Sequence, residues 1–196
     1  MSKPASGPSA TVADWLAQPE EARTELIDGE LVEKALPTFP HGRAQGRTVG
    51  TLGSAFDRKS GGSGGPGGWW LATEVDILLD GRGYRPDIAG WRRDRLPPPP
   101  TERPVTSRPD WLCEIVSESN RTIDTVTKLR RYHQAVVPHY WILDQQDRTL
   151  TVHRHMAEGY LVALRATAGE RVRAEPFDAI ELHVAVLLGE DPDEPV

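Results

Sequence analysis

Two carboxylates stand in segments that otherwise read as core strand, and acids so placed are the residues of this chain best suited to chemistry. In Trp111-Leu-Cys-Glu-Ile-Val116, strand alternation sets Glu114 on one face with Leu112 and Val116. Asp87 lies between Pro86 and the apolar Ile88-Ala89. A carboxylate withdrawn from water either shifts its pKa or finds a cation, and the usual remedies are a metal ion or a basic side chain. If the two segments are neighbouring strands, Asp87 and Glu114 can share one divalent ion. Mg2+ takes one or two protein carboxylates and completes its octahedron with water and substrate phosphate oxygens. A third group follows on the next helix, where Asp124, Lys128 and Tyr132 are spaced i, i+4, i+8 along one stripe. From there the Lys128 ammonium can reach back to the Glu114 strand and face a developing anion. Asp87, Glu114 and Lys128 together suit metal-dependent cleavage of a phosphodiester.

Weaker candidates surround this set. Glu74 can supplement the metal from the preceding strand, and Glu25 and His41 can border the cleft, although each also reads as structural. His153 and His155 share a strand face at i, i+2 and could bind zinc. No third ligand accompanies them, so a solvent-facing strand is the preferred reading. Gly61 to Gly68 contains a G-x-S-x-G pattern around Ser63, but a nucleophile elbow needs a strand before it and a helix after it, and here a low-complexity loop leads into Trp69-Trp70. Asn120-Arg-Thr matches a glycosylation acceptor, which has no physical meaning in a chain without a secretory signal.

The elements that must position these residues follow from periodicity and turn chemistry. Thr11 to Ala17 reads as a short helix, and Glu25 to Glu33 as a hairpin, because Asp28-Gly29 supplies the positive φ of a tight turn. A helix is expected from His41 to Phe56, with Val49, Leu52 and Phe56 at helical spacing. Glu74 to Leu79 and Tyr84 to Trp91 read as strands around Asp80-Gly-Arg-Gly83, and Leu96 to Pro109 as a Pro-rich loop. Trp111 to Val116 is a strand. Ser119 to Thr122 offers caps for a helix running to about Ala135, and strands follow at Tyr140 to Leu143, Leu150 to Met156 and Tyr160 to Arg165.

Composition bounds the class. The 196 residues are 38% hydrophobic and 27% charged, with a mean hydropathy of -0.48, and no window approaches a membrane-spanning run. One domain over residues 11–188 is expected, between a disordered stretch 1–10 rich in Pro, Ser, Gly and Ala and an acidic flexible tail 189–196. The first residues carry no apolar signal region, and the single Cys113 precludes an internal disulfide, so a cytoplasmic protein is expected. A net charge of -6 argues against generic attraction to a polyanion. Local basic patches remain at Arg82, Arg85, Arg92, Arg93 and Arg95, and at Arg121, Lys128, Arg130 and Arg131. These read equally well as a solvated surface.

An ordered series of segments carries a resemblance. Tyr84-Arg-Pro-Asp-Ile-Ala89, Arg108 through Glu114 to Asn120, Asp124 through Lys128 to Tyr132, and Pro138 to Asp144 together resemble the Uma-two (Uma2) family of restriction-endonuclease-like proteins, within the PD-(D/E)XK nuclease superfamily. The similarity extends to Glu25 through Val32 and to His41, covering about Glu25 to Leu188. It implies an α/β fold with a restriction-endonuclease-like core: a mixed central β-sheet flanked by helices, preceded by an N-terminal helix and hairpin. It makes Asp87 the first metal-binding acid and Glu114 the second, with Mg2+ or Mn2+ as cofactor. It also implies DNA as substrate, cut to leave a 5′-phosphate, and a homodimer. The superfamily's usual lysine sits two residues after the second acid, where this chain has Val116, and the resemblance moves that role to Lys128. Val116 and the acidic net charge support an alternative, a catalytically inactive nuclease fold that binds nucleic acid or protein. A hydrolase for a small phosphorylated substrate would also suit an acidic protein.

Overall fold

The computed structural model describes residues 9–62, 65–116 and 121–191. Ser63, Ser119 and Asn120 lie outside the described residues, as do 1–8 and 192–196. The chain opens with α1 (Val12–Leu16), started by a capping box in which the Thr11 side chain and Asp14 satisfy each other's backbone N–H groups. A hairpin follows, β1 (Thr24–Ile27) and β2 (Glu30–Glu33), whose turn residues Asp28 (φ 52°) and Gly29 (φ 81°) both adopt the left-handed conformation that a two-residue turn requires. Next comes α2 (Phe39–Phe56), capped by Thr38 and burying His41, Ala44, Thr48, Leu52 and Phe56 along one side. It starts two residues before the expected His41 because Thr38 is a good N-cap and Pro40 suits the first turn.

The strands expected at 74–79 and 84–91 appear as three shorter ones, and an unexpected strand precedes them. β3 (Trp69–Thr73) ends at Glu74, whose φ of 55° breaks the extended backbone, and β4 (Ile77–Leu79) turns through Asp80-Gly81 into β5 (Arg82–Tyr84). β6 (Ile88–Arg92) then begins one residue after Asp87. The chain thus leaves one sheet at Glu74, forms a hairpin in another, and returns at Asp87. Apolar alternation alone could not report this change of sheet, because both halves are buried.

The remaining elements are β7 (Trp111–Val116), a π-helical segment Ile123–Lys128 that runs directly into α3 (Leu129–Gln134), β8 (His139–Asp144), β9 (Thr149–Met156), β10 (Gly159–Thr167), the short pair β11 (Arg171–Val172) and β12 (Leu182–His183), and α4 (Val184–Leu187). Six strands form a mixed sheet in the order β10-β9-β8-β7-β6-β3, in which only β7 and β8 run parallel, as the helical crossover between them demands. A smaller sheet has the order β2-β1-β5-β4. The Ala10 N–H donates to the Gly29 carbonyl, and Arg148 pairs with Glu190 at 2.7 Å.

Two apolar cores lie on opposite faces of the large sheet. On one, Trp111, Cys113 and Ile115 of β7 pack with Leu52, Phe56, Trp69 and Trp141 around Phe177, which touches four aromatic rings at centroid distances of 4.8 to 5.6 Å. On the other, Leu112 and Val116 pack with Tyr84, Trp91, Tyr132 and Tyr140. Glu114 is on this second face, as strand alternation requires. His153 also lies on it and is buried rather than solvent-facing, its Nδ1 3.2 Å from the Tyr140 carbonyl, while His155 stacks on His133 of α3 with ring centroids 4.4 Å apart. The expectation of an open strand face fails because α3 and Tyr160 cover it.

Gly83 fixes how the N-terminal helix docks. A Cβ there would lie 2.4 Å from the Trp15 ring, whose Nε1 donates to the Thr24 carbonyl. Gly83→Ala should therefore destabilise the fold by about 1–3 kcal/mol through overpacking, measurable by urea denaturation, with no change in stability as the contrary result.

Candidate metal centre

The two sheets meet where β3 passes to β4 and β5 passes to β6, and four carboxylates converge at that seam. Asp87 is 1% exposed, Glu114 0%, Glu25 2% and Asp124 4%. Asp87 precedes β6, and its Oδ2 accepts from the Ile115 N–H of the adjacent β7 at 2.6 Å, which locks the carboxyl across the strand pair. Its own N–H points toward Glu114 Oε2 at 3.4 Å. The two acids picked out from the sequence therefore come together. Glu74 joins them because its backbone N–H donates to the Asp87 carbonyl, and Gln45 on α2 donates to both that carbonyl and Glu74 Oε1.

His41, at the start of the buried side of α2, points into the same place. Its Nε2 is buried and lies 3.2 Å from Asp87 Oδ1, within ion-pair reach but without hydrogen-bonding alignment. A buried imidazole nitrogen left without a hydrogen bond needs a reason. Among the described residues, His41, Glu74 and Asp87 form the cluster whose ligand atoms all lie within 4.8 Å of one another. Imidazole nitrogen and carboxylate oxygen are donors that divalent ions such as Mn2+ accept, so these residues fit a metal ion.

Lys128 stands behind Glu114 rather than in front of it. The π turn sets Asp124 and Lys128 inward together, and the ammonium contacts Glu114 Oε1 and Glu25 Oε1 at 3.0 Å each and Asp124 Oδ1 at 3.2 Å. Tyr132 Oη also donates to Glu114 Oε1, at 3.0 Å. One oxygen of Glu114 is thus held by α3, while Oε2 faces Asp87. Glu25 additionally accepts the Arg85 N–H at 2.8 Å, tying the small sheet to the seam. Val116, two residues after Glu114, is packed in the second core at 3% exposure.

The sequence reading missed Lys34. It follows β2, is buried, and donates to Asp87 Oδ1 at 2.6 Å and to the Arg85 carbonyl at 2.8 Å. A lysine at the end of a hairpin strand ordinarily reads as solvated, and no local spacing distinguishes this one. Asp124 was visible only as a member of the Lys128 stripe.

The comparisons with known proteins bear on this arrangement. The profile of the Uma2 family, described as "Putative restriction endonuclease", matches residues 10–186. The chain belongs to the Uma2 family. No curated protein matches it. Among solved structures, a crystal structure of "a putative nuclease belonging to DUF820" from Anabaena variabilis superimposes with a TM-score of 0.70 at 20% identity, over 91% of this chain and 97% of that one. The mixed central sheet flanked by helices is therefore a nuclease-type fold.

In this Uma2 chain the two central acids titrate in opposite directions. Burial acts to raise Asp87, but the Lys34 ammonium and the His41 imidazole outweigh it and hold the carboxyl well below its ordinary range. Burial lifts Glu114 from its ordinary 4.5 to about 8, against the opposing pull of the Lys128 and Lys34 ammoniums. Between those two pH values the folded state keeps the Glu114 proton that the unfolded state has released. Its contribution to stability is complete below pH 4.5 and is lost as pH rises through about 8. The neutral isostere in Glu114→Gln does not titrate. Its stability relative to the parent should rise between pH 5 and pH 9 by an amount on the order of a few kcal/mol. Thermal melts at the two pH values check this, and a difference independent of pH would contradict it.

Proposed function

We propose that this chain is a divalent-metal-dependent nuclease that hydrolyses DNA phosphodiester bonds with Mg2+ or Mn2+. The observation that carries the reading is the convergence of Asp87, Glu114, Glu74 and His41 Nε2, which no hydrogen bond satisfies, at one buried seam. Family membership supports an endonuclease-type hydrolase. Bound among these donors, a divalent ion would supply a Lewis acid for the scissile phosphate and a water of lowered pKa. Asp87 and Glu114 are the principal ligands, with Glu74 and His41 completing the set. Lys128 acts through Glu114: with Tyr132 it occupies Oε1 and leaves Oε2 directed at Asp87. Gln45 positions Glu74 against the Asp87 backbone. A cytoplasmic setting belongs to the same proposal, and no described helix is long and apolar enough to cross a membrane.

A second reading rests on the arginines. Arg82 and Arg131 pair with Asp28, Arg92 with Asp94, Arg93 with Asp57, Arg95 with Asp110 and Arg121 with Asp144, all at 2.6 to 2.9 Å. With net charge -6, such self-neutralised patches favour a small phosphorylated substrate over a long polyanion. Salt titration separates the two, because DNA contacts release counterions and give a steep dependence on salt.

Purified protein incubated with plasmid and linear DNA in Mg2+ or Mn2+ tests the main reading. Asp87→Ala should lose more than about 100-fold of the cleavage rate, and chelation should abolish it. Equal cleavage by parent and variant would identify a contaminant and defeat the proposal.

A further inference from the structure

Lys34 presents its ammonium to a set of oxygens of the kind a divalent cation takes. Its Nζ lies 2.6 Å from Asp87 Oδ1, 2.8 Å from the Arg85 carbonyl oxygen, 3.7 Å from Glu114 Oε2 and 4.0 Å from Glu74 Oε2. Three carboxylates and one main-chain carbonyl thus face one positive charge, and three of those residues are the acids assigned to the metal. We propose that Lys34 is a tethered cation that holds the metal site of the metal-free protein, and that a divalent ion binds by displacing its ammonium. The inference rests on the metal-dependent reading above.

Charge and space both support it. Glu25, Asp87, Glu114 and Asp124 are buried together, and the buried cations against them are Lys34 and Lys128. Without Lys34, Asp87 would lose its closest counter-charge, and a buried carboxylate left unpaired is strongly destabilising. The lysine therefore lets the seam fold before any metal arrives. The two cations compete for the same oxygen: Mg2+ sits about 2.0–2.1 Å from its oxygens, and the ammonium already rests on Asp87 Oδ1. An ammonium offers only donors, and His41 Nε2 makes no aligned hydrogen bond beside it, 3.2 Å from the same Asp87 oxygen. A metal ion can use that nitrogen. Lys34 is also the lysine able to leave. It is anchored through its backbone N–H to the Arg23 carbonyl at the end of β2 and carries a flexible four-carbon stem, whereas Lys128 is enclosed by three carboxylates at 1% exposure.

The chain has four lysines, Lys3, Lys34, Lys59 and Lys128, which makes amine labelling a clean assay. The parent protein would be acylated with and without saturating MgCl2 or MnCl2, and each lysine quantified by peptide mass spectrometry. Lys34 labelling should rise severalfold with metal, exposed Lys59 should not change, and Lys128 should stay protected in both states. In parallel, calorimetry should find Mn2+ bound about tenfold or more tightly by Lys34→Met than by the parent, as expected when no charge-assisted hydrogen bond has to be broken. Metal binding by the parent without a change in Lys34 labelling, or binding of equal or lower affinity by a folded Lys34→Met, would overturn the inference and leave the metal reading standing. If neither protein bound Mn2+, both would fall. Should Lys34→Met fail to fold, labelling of the parent alone still decides.

Discussion

Placing a carboxylate in the middle of a β-sheet costs several kcal/mol unless a cation sits against it, and Glu114 imposes that constraint on β7. The rest of the seam is organised around meeting it. The crossover helix after β7 carries Lys128 and Tyr132 to one oxygen of Glu114, and its π turn brings Asp124 inward to share the lysine. Asp87 is then held against the same strand by the Ile115 N–H, and needs a cation of its own, which Lys34 provides. Four buried acids thus share two lysines at the seam, and Glu114 adds its negative charge only above about pH 8.

The topology exists to bring these groups together. Glu74 and Asp87 lie at the two points where the chain crosses between sheets, so the break in β3 and the late start of β6 belong to the site as much as to the fold. A φ of 55° at Glu74 is a strained choice for a non-glycine residue, and strain of that kind persists where the surroundings over-determine it. The paired arginines on the surface, by contrast, contribute little to stability, since exposed ion pairs are worth about 0–1 kcal/mol each.

What the sequence made legible follows the physics of burial. Glu114 stood out because alternation in β7 left an acid among apolar neighbours, and the Asp28-Gly29 hairpin because its turn has few alternatives. The helical stripe of Asp124, Lys128 and Tyr132 also survived intact, although through a π turn that simple periodicity does not encode. Lys34 was invisible because its role comes from residues 51 and 53 positions away, Arg85 and Asp87. The split of two expected strands into β4, β5 and β6 was hidden for a similar reason: β4 and β6 are apolar on either side of the break. His153 misled because two histidines at i, i+2 say nothing about whether a helix covers their face.

The seam between the sheets is, we propose, a metal centre built on Asp87 and Glu114. Anomalous diffraction from crystals of the full chain grown with Mn2+ tests it most directly. The account predicts one strong peak bonded to Asp87, with Glu114, Glu74 and His41 among its neighbours and the Lys34 ammonium moved away. A peak elsewhere on the molecule, or none at the seam with Lys34 still on Asp87, would contradict it.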